Sequence, residues 1–304
     1  MKGIQSTKGQ PAGIKKASLI QRIITGAAFV VVVIGCIFAG GMYGLFPLLL
    51  VAFAALGVRE FCRIVNPEMS KTLIAIGVVL AASMPVLTYG ASILSGNLVI
   101  GEGSMRGVIP LFYAIVFALA AYMVWVAVNP QSKLRDVCGS FFAALYLGFP
   151  LSCLMLIRQM GDGYEIVGIF LTLTLVFSVW ATDSFAYLGG SLFGKHKIAP
   201  VISPKKSWEG LIAGTLGAIA IWYFAPLLFL GSASLLIAVI VGVVVSIAAL
   251  LGDLFQSRIK REAGVKDSGT LLPGHGGILD RIDSLLLVAP LMFIVLSTFG
   301  LFGV

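Results

Sequence analysis

Nine apolar runs, most of them about 20 residues long, dominate the chain: roughly 20–39, 43–58, 72–92, 108–128, 137–157, 167–189, 210–230, 233–254 and 281–301. About 20 apolar residues in a helix cross the hydrocarbon of a bilayer. The runs are continuous and do not alternate, which argues against a membrane β-barrel. Charged residues make up 11% of the 304, where soluble domains carry about 25%. The chain therefore reads as all-α, a polytopic integral membrane protein with about nine transmembrane helices. The second run is short enough to form a tight hairpin with the first. Lys2, Lys8, Lys15 and Lys16 precede the first run and Arg22 lies at its start, but no convincing small-residue cleavage site follows it, so it reads as a retained helix. Cys36, Cys62, Cys138 and Cys153 lie in or beside apolar runs without metal-type spacing and read as small buried hydrophobes.

Lys and Arg then orient the helices. On this division, 19 of the 21 fall in the N-terminal segment and in the loops after the second, fourth, sixth and eighth runs. Only Arg106 and Arg158 fall on the other side. The positive-inside rule places the N-terminus in the cytoplasm and the C-terminus outside, in the inner (plasma) membrane of a cell. The net charge of +8 is thus a matter of sidedness, and no nucleic-acid partner is expected. Three regions follow: a cytoplasmic segment 1–19, N-terminal helices over 20–160, and a C-terminal catalytic region 161–304 with cytoplasmic loops 190–209 and 255–281.

That side gathers the chemistry. Asp183 lies inside the sixth run, one to two turns from its cytoplasmic end, and Asp253 ends the eighth. Asp280 and Asp283 open the ninth, three residues apart and so on one helix face. The four carboxylates, from three helices, share one depth. Asp280 and Asp283 alone could simply favour a helix N-terminus through its dipole. Asp183 is harder to dismiss, because a carboxylate inside a span costs about 2.5–3.5 kcal/mol on insertion scales and normally faces a cavity, a partner or an ion.

Cations surround these acids. Ser257 and Lys260 or Arg261 continue the helical face of Asp253, and Lys266 follows. The preceding loop carries Ser203, Lys205, Lys206 and Ser207 around a turn at Pro204, with Ser207 entering the seventh helix. Carboxylates hold a hard cation, Lys and Arg neutralise phosphate oxygens, and glycines such as Gly276 and Gly277 beside His275 let backbone N–H groups approach an anion. No Walker loop and no zinc spacing is present. The reading is a cytoplasm-facing, metal-assisted site for a phosphorylated substrate at the bilayer interface.

The stretch "SRIKREAGVKDSGTLLPGHGGILDRID", Ser257 to Asp283, resembles the signature of phosphatidate cytidylyltransferases (CDP-diacylglycerol synthases) without departure over its 27 residues. "DSFAYLGGSLFGKHK" and "ISPKKSWEG" are similar to upstream segments of that family, so the resemblance covers about 183–283. It implies transfer of CMP from CTP to phosphatidate, giving CDP-diacylglycerol and pyrophosphate in phospholipid biosynthesis. Mg2+ with K+ as a second cation, surrounding membrane lipids and a homodimer are implied in the same way. With it, Asp253 and Asp280 become the first choices as cation ligands, with Asp283 and Asp183 as further ligands or their supports. Lys260, Arg261, Lys266 and Arg281 would hold phosphate oxygens, aided by Lys205 and Lys206. Ser203, Ser207 and Ser257 would donate hydrogen bonds, and Asp267 would orient Lys266. His275 would contact phosphate, shuttle a proton, or brace the turn. For the base, Trp208 and Tyr187 are aromatic candidates, with packing the competing role of each.

Two rivals are consistent with the pattern. A polyprenol or phytol kinase would use such a site to phosphorylate a lipid alcohol. A transporter would suit nine spans and a buried Asp183, but no polar residues line a route across the membrane.

Overall fold

The computed structural model describes residues 12–39, 44–94, 105–161, 165–271 and 276–299. Helices follow one another as α1 (Ala12–Phe38), α2 (Leu45–Val65), α3 (Lys71–Leu94), α4 (Met105–Val128), α5 (Leu134–Arg158) and α6 (Glu165–Phe193). A hairpin of β1 (Lys197–Ala199) and β2 (Ser203–Ser207) comes next. Then come α7 (Trp208–Leu230), α8 (Leu235–Glu262), a single turn α9 (Leu279–Ile282) and α10 (Leu285–Phe299). Among the described residues, eight helices are long and apolar enough to cross a membrane, α9 and α10 together counting as the last. The first expected span lies in α1, whose continuous apolar part, Ile23–Phe38, is shorter.

Two differences from the sequence reading bear on the site. The second span does not stop near residue 58: α2 runs to Val65 and carries Arg59, Glu60 and Arg63 within the helix. Phe61, Cys62 and Ile64 are buried there, so an amphipathic face continues where average hydropathy falls. The loop before α7 is not a simple turn but an antiparallel hairpin, pairing Lys197 with Ser207 and Ala199 with Ser203. Pro204 sits in β2, an edge strand paired on one side only and irregular in register, which is where a strand proline is found. Ser207 caps α7 as expected, its Oγ accepting the Gly210 N–H at 3.2 Å.

Close helix contacts set the relative depth of the elements. The α6–α7 contact is the most extensive in the molecule. It is built on small residues: a Cβ at Gly210 would stand 2.7 Å from Ala186 O, and one at Gly214 would stand 2.8 Å from Thr182 O. Lipid offers little hydrophobic drive for helix association, so such backbone approach and polar pairs carry it. Thr215 and Ser246 join α7 to α8 at 2.8 Å. Tyr122 and Ser140 join α4 to α5 at 2.6 Å, and Ser140 donates on to Leu73 O of α3. The last helix, α10, lodges between α5 and α8. It thereby carries the segment before it to the end of α2, against which α9 packs.

Gly214→Val should lower stability by about 1–3 kcal/mol through overpacking, read as a lower thermal midpoint in detergent. Gly90→Ala, inside α3 where an added Cβ meets nothing within 4 Å, should not lower the midpoint.

Candidate functional site

A cavity of about 450 Å³ opens between the ends of α6, α7, α8 and α9, roofed by the hairpin. Its walls bring together Asp183 from α6, Ser203, Lys205, Lys206 and Ser207 from β2, Asp253 and Lys260 from α8, and Asp280, Arg281 and Asp283 from the chain entering α10. Asp267 also lines it. The four carboxylates expected to share one depth thus share one cavity, and the three helices that carry them meet there.

Two ion pairs organise the walls. Lys206 Nζ reaches Asp253 Oδ2 at 2.5 Å and ties the hairpin to α8, and Ser257 Oγ donates to Asp253 Oδ1 at 3.1 Å. Lys260 Nζ reaches Asp280 Oδ1 at 2.7 Å, with both side chains about one-tenth exposed. The other oxygen of Asp280 accepts the Ser268 N–H at 2.8 Å, the Gly277 N–H at 3.0 Å and a contact from Ser268 Oγ at 2.9 Å. A carboxylate held by that many donors in a nearly dry setting is fixed in position. Gly276 has φ +79, which lets the chain turn so that Gly277 can donate to it. Asp183 and Asp283 take part in neither ion pair.

Asp280 lies in α9, and Asp283 follows it with helical dihedrals, φ −53 and ψ −47. Asp283 and Ser284 form the turn that joins α9 to α10, and Asp283 Oδ1 accepts the Ser284 N–H at 2.8 Å. Gly252 of α8 presses on this turn, where a Cβ would stand 2.7 Å from Asp283 O. Both carboxylates line the cavity, as a spacing of three on helical backbone places them.

Among the other expected residues, Ser257, Arg261 and Lys266 do not line the cavity. Ser257 acts on Asp253. Arg261 Nη1 donates to Val265 O at 3.1 Å, closing the turn that ends α8. Lys266 is exposed, and Asp267 forms no ion pair with it among the described residues. Gly276 and Gly277 serve the Asp280 carboxylate, and His275 lies outside the described residues. Tyr187 is not packed: it is 72% exposed and lines the cavity, whereas Trp208 is exposed without lining it.

Sequence reasoning missed Glu60. It stands on α2, at the far end of the chain from the signature, yet its carboxylate accepts from Ile278 N, Leu279 N and Ser268 Oγ. The available signal was modest: it is the first acidic residue of the chain, and only Arg59 separates it from an apolar run.

A second cavity of about 280 Å³ lies on the other side of the same carboxylates. Asp183, Asp280, Arg281 and Asp283 line both. Its remaining walls are Thr25, Gly26, Phe29 and Val30 of α1 with Trp180 and Ser184 of α6. An apolar crevice beyond it shares Phe29, Trp180 and Arg281 and continues along Val33 and Ile37.

A model of the cytidylyltransferase family matches residues 20–299. The chain belongs to this family. It is 33% identical over 281 residues to a phosphatidate cytidylyltransferase of Staphylococcus saprophyticus, covering 90% of this chain and 98% of that one. A relative from Thermotoga maritima with the same name is 37% identical over 223 residues, covering 72% and 76%. Phosphatidate cytidylyltransferase 4, chloroplastic, of Arabidopsis thaliana is 32% identical over 310 residues, covering 95% and 77%. Family membership extends the match well beyond the 183–283 signature, into the helices that carry Glu60.

The donor chemistry of the main cavity suits a hard divalent cation, since carboxylate oxygens are its preferred ligands. Among the described residues, no three acidic, histidine or cysteine side chains form a ready-made cage. Asp253, Asp283 and Asp183 would hold such a cation, because Asp280 is already engaged by Lys260 and by the Ser268 and Gly277 N–H groups.

Lys260→Ala should be strongly destabilising, by about 3–5 kcal/mol, because it leaves Asp280 buried without its cation. Thermal unfolding in detergent checks this. Arg258→Ala, whose partner Glu262 lies 3.9 Å away on an exposed face, should change little.

Proposed function

We propose that this chain is a membrane enzyme that transfers CMP from CTP to phosphatidate, forming CDP-diacylglycerol and pyrophosphate. The observation that carries the reading is the wall of three carboxylates, Asp183, Asp280 and Asp283, with Arg281, between a polar cavity and a cleft leading to apolar helix faces. One substrate is water-soluble and the other is a lipid, and a site with two such sides suits that pairing. CTP enters the larger cavity from the cytoplasm. The phosphatidate headgroup reaches the same carboxylate wall from the cleft between α1 and α6, with its acyl chains along Phe29, Val33 and Trp180. On this reading the N-terminus is cytoplasmic and the membrane is the inner membrane.

In the reaction, a phosphate-monoester oxygen of phosphatidate attacks the α-phosphorus of CTP. The bond from the α-phosphorus to the α–β bridging oxygen breaks, and pyrophosphate leaves with that oxygen. The monoester is already anionic near neutral pH, so no strong general base is required. The difficulty is bringing two polyanions together, which makes alignment and charge neutralisation the main tasks. Lys205 and Lys206 on the hairpin roof hold the triphosphate, and Arg281, which faces both cavities, holds oxygens of the reacting phosphates. Tyr187 offers its ring face to the cytosine.

The cavity lining contains five carboxylates against four Lys and Arg side chains. Polyanionic substrates need further positive charge there, which supports a divalent requirement. Mg2+ would supply that charge and stabilise the leaving pyrophosphate. Asp253, Asp283 and Asp183 would be its holders, with Lys206 then released from Asp253 towards phosphate.

The test uses purified protein in detergent with dispersed phosphatidate and CTP labelled at the α-phosphate. Label should pass into the lipid phase only with phosphatidate and Mg2+ present. Label entering lipid from the γ-position with an alcohol acceptor would instead support a kinase. Asp253→Asn should weaken Mg2+ binding measured by calorimetry and lower turnover by at least about a hundredfold. Gly26→Trp, which fills the lipid-side cleft, should raise KM for phosphatidate and leave KM for CTP unchanged. Tyr187→Ala should do the reverse, raising KM for CTP about tenfold, the scale of one lost base-stacking contact.

A further inference from the structure

Glu60, a carboxylate from the N-terminal helices, is in contact with the signature segment. Its Oε1 accepts the Ile278 N–H at 3.1 Å and its Oε2 accepts the Leu279 N–H at 2.9 Å. These are successive amides at the entry to α9, the turn that bears Asp280 and Arg281. Amides at the start of a helical turn have no intrahelical acceptor. Here one side chain from a distant helix satisfies two of them.

The same carboxylate is linked to Asp280. Ser268 Oγ lies 2.9 Å from Glu60 Oε2 and 2.9 Å from Asp280 Oδ2. One hydroxyl therefore stands between the two acids, while Ser268 N–H is committed to Asp280. The backbone leaves room for this arrangement. A Cβ at Gly277 would fall on Glu60 Oε2 and Ser268 Oγ, and one at Gly269 would stand 2.7 Å from Glu60 Oε1. Two glycines of the signature thus accommodate a residue that lies about 200 positions away in sequence.

We infer that Glu60 is a positioning residue for cytidylyl transfer, clamping the Gly277–Leu279 turn so that Asp280, Arg281 and Asp283 face the reacting phosphates. It reaches none of those phosphates itself; it acts through the backbone of the signature and through Ser268. The inference rests on the cytidylyl-transfer reading of the main cavity. It gives the N-terminal helices a part in the chemistry beyond anchoring, because α2 supplies the fixed end of the clamp. A carboxylate is required at this position. An isosteric amide turns an NH2 group towards N–H or O–H donors in either orientation, so it cannot accept all three bonds.

The experiment compares full-length wild-type, Glu60→Gln and Ser268→Ala proteins in detergent, with Glu68→Gln on the neighbouring exposed loop as the control. Three quantities are read: kcat and the two KM values, the thermal midpoint, and amide hydrogen exchange by peptide. In Glu60→Gln, exchange should speed up in peptides covering 276–284 and stay unchanged in α3, α4 and α7. Its kcat should fall about ten- to hundredfold, the scale for a displaced reacting group, while KM for CTP moves by less than about threefold. Ser268→Ala should shift the same peptides and lower kcat less, and the double variant should be less than additive. Wild-type kcat in a folded Glu60→Gln protein overturns the clamp, as does faster exchange spread uniformly over all helices. If Glu60→Gln does not fold, Ser268→Ala decides alone: wild-type kcat and wild-type exchange over 276–284 overturn the inference. Wild-type protein that makes no CDP-lipid would sink the reaction reading, and the exchange comparison would still report on the clamp.

Discussion

The Asp280 carboxylate is the point on which the arrangement of the site depends. One of its oxygens holds Lys260 of α8, and the other gathers Ser268 and Gly277 from the segment between α8 and α9. A nearly buried acid of this kind is costly unless every lone pair is used, and here the donors come from three separate stretches of chain. The result is a loop pinned to a helix at the edge of a low-dielectric region. The neighbouring Asp283 and Arg281 take their directions from that pinned turn. Their charges then act on the cavity without the reorganisation that a mobile loop would need.

Membrane insertion explains why the site lies where it does. Among the described residues, eight long apolar helices leave few places for charge, and small-residue contacts such as those between α6 and α7 keep the depth of each helix defined. Asp183, Asp253 and the carboxylates before α10 therefore reach the same level and line one cavity. That cavity shares its acidic wall with a cleft whose far side is apolar. A polar nucleotide and a lipid phosphate can approach such a wall from opposite sides without either leaving its own solvent. The acids hold the cavity near charge balance with its lysines and arginine, so the site needs extra positive charge when polyanions arrive.

Much of this was legible in the chain. Apolar runs of bilayer length revealed the helices, because nothing else accommodates them. Asp183, Asp253, Asp280 and Asp283 were found by depth alone, since a carboxylate near the end of an apolar run is rare and costly. Lys205, Lys206, Ser207 and Lys260 followed from the same side of the membrane. The end of α2 was misplaced because hydropathy averages over a window and cannot follow a single buried face through Arg59 and Glu60.

Sequence alone determined the class of the protein, the level of the acids in the membrane and the signature that carries the family. Each is a property of one segment in its solvent: an apolar helix seeks lipid, and a charge seeks the interface. Tertiary structure decided which of those charges meet. Lys206 pairs with Asp253, Lys260 with Asp280, and Glu60 with amides more than 200 residues later. Such pairings depend on which helix faces touch, and that is set by the joint packing of α2, α5, α8 and α10. No local pattern of residues encodes a contact made by helices that are neighbours only in the folded bilayer-embedded chain.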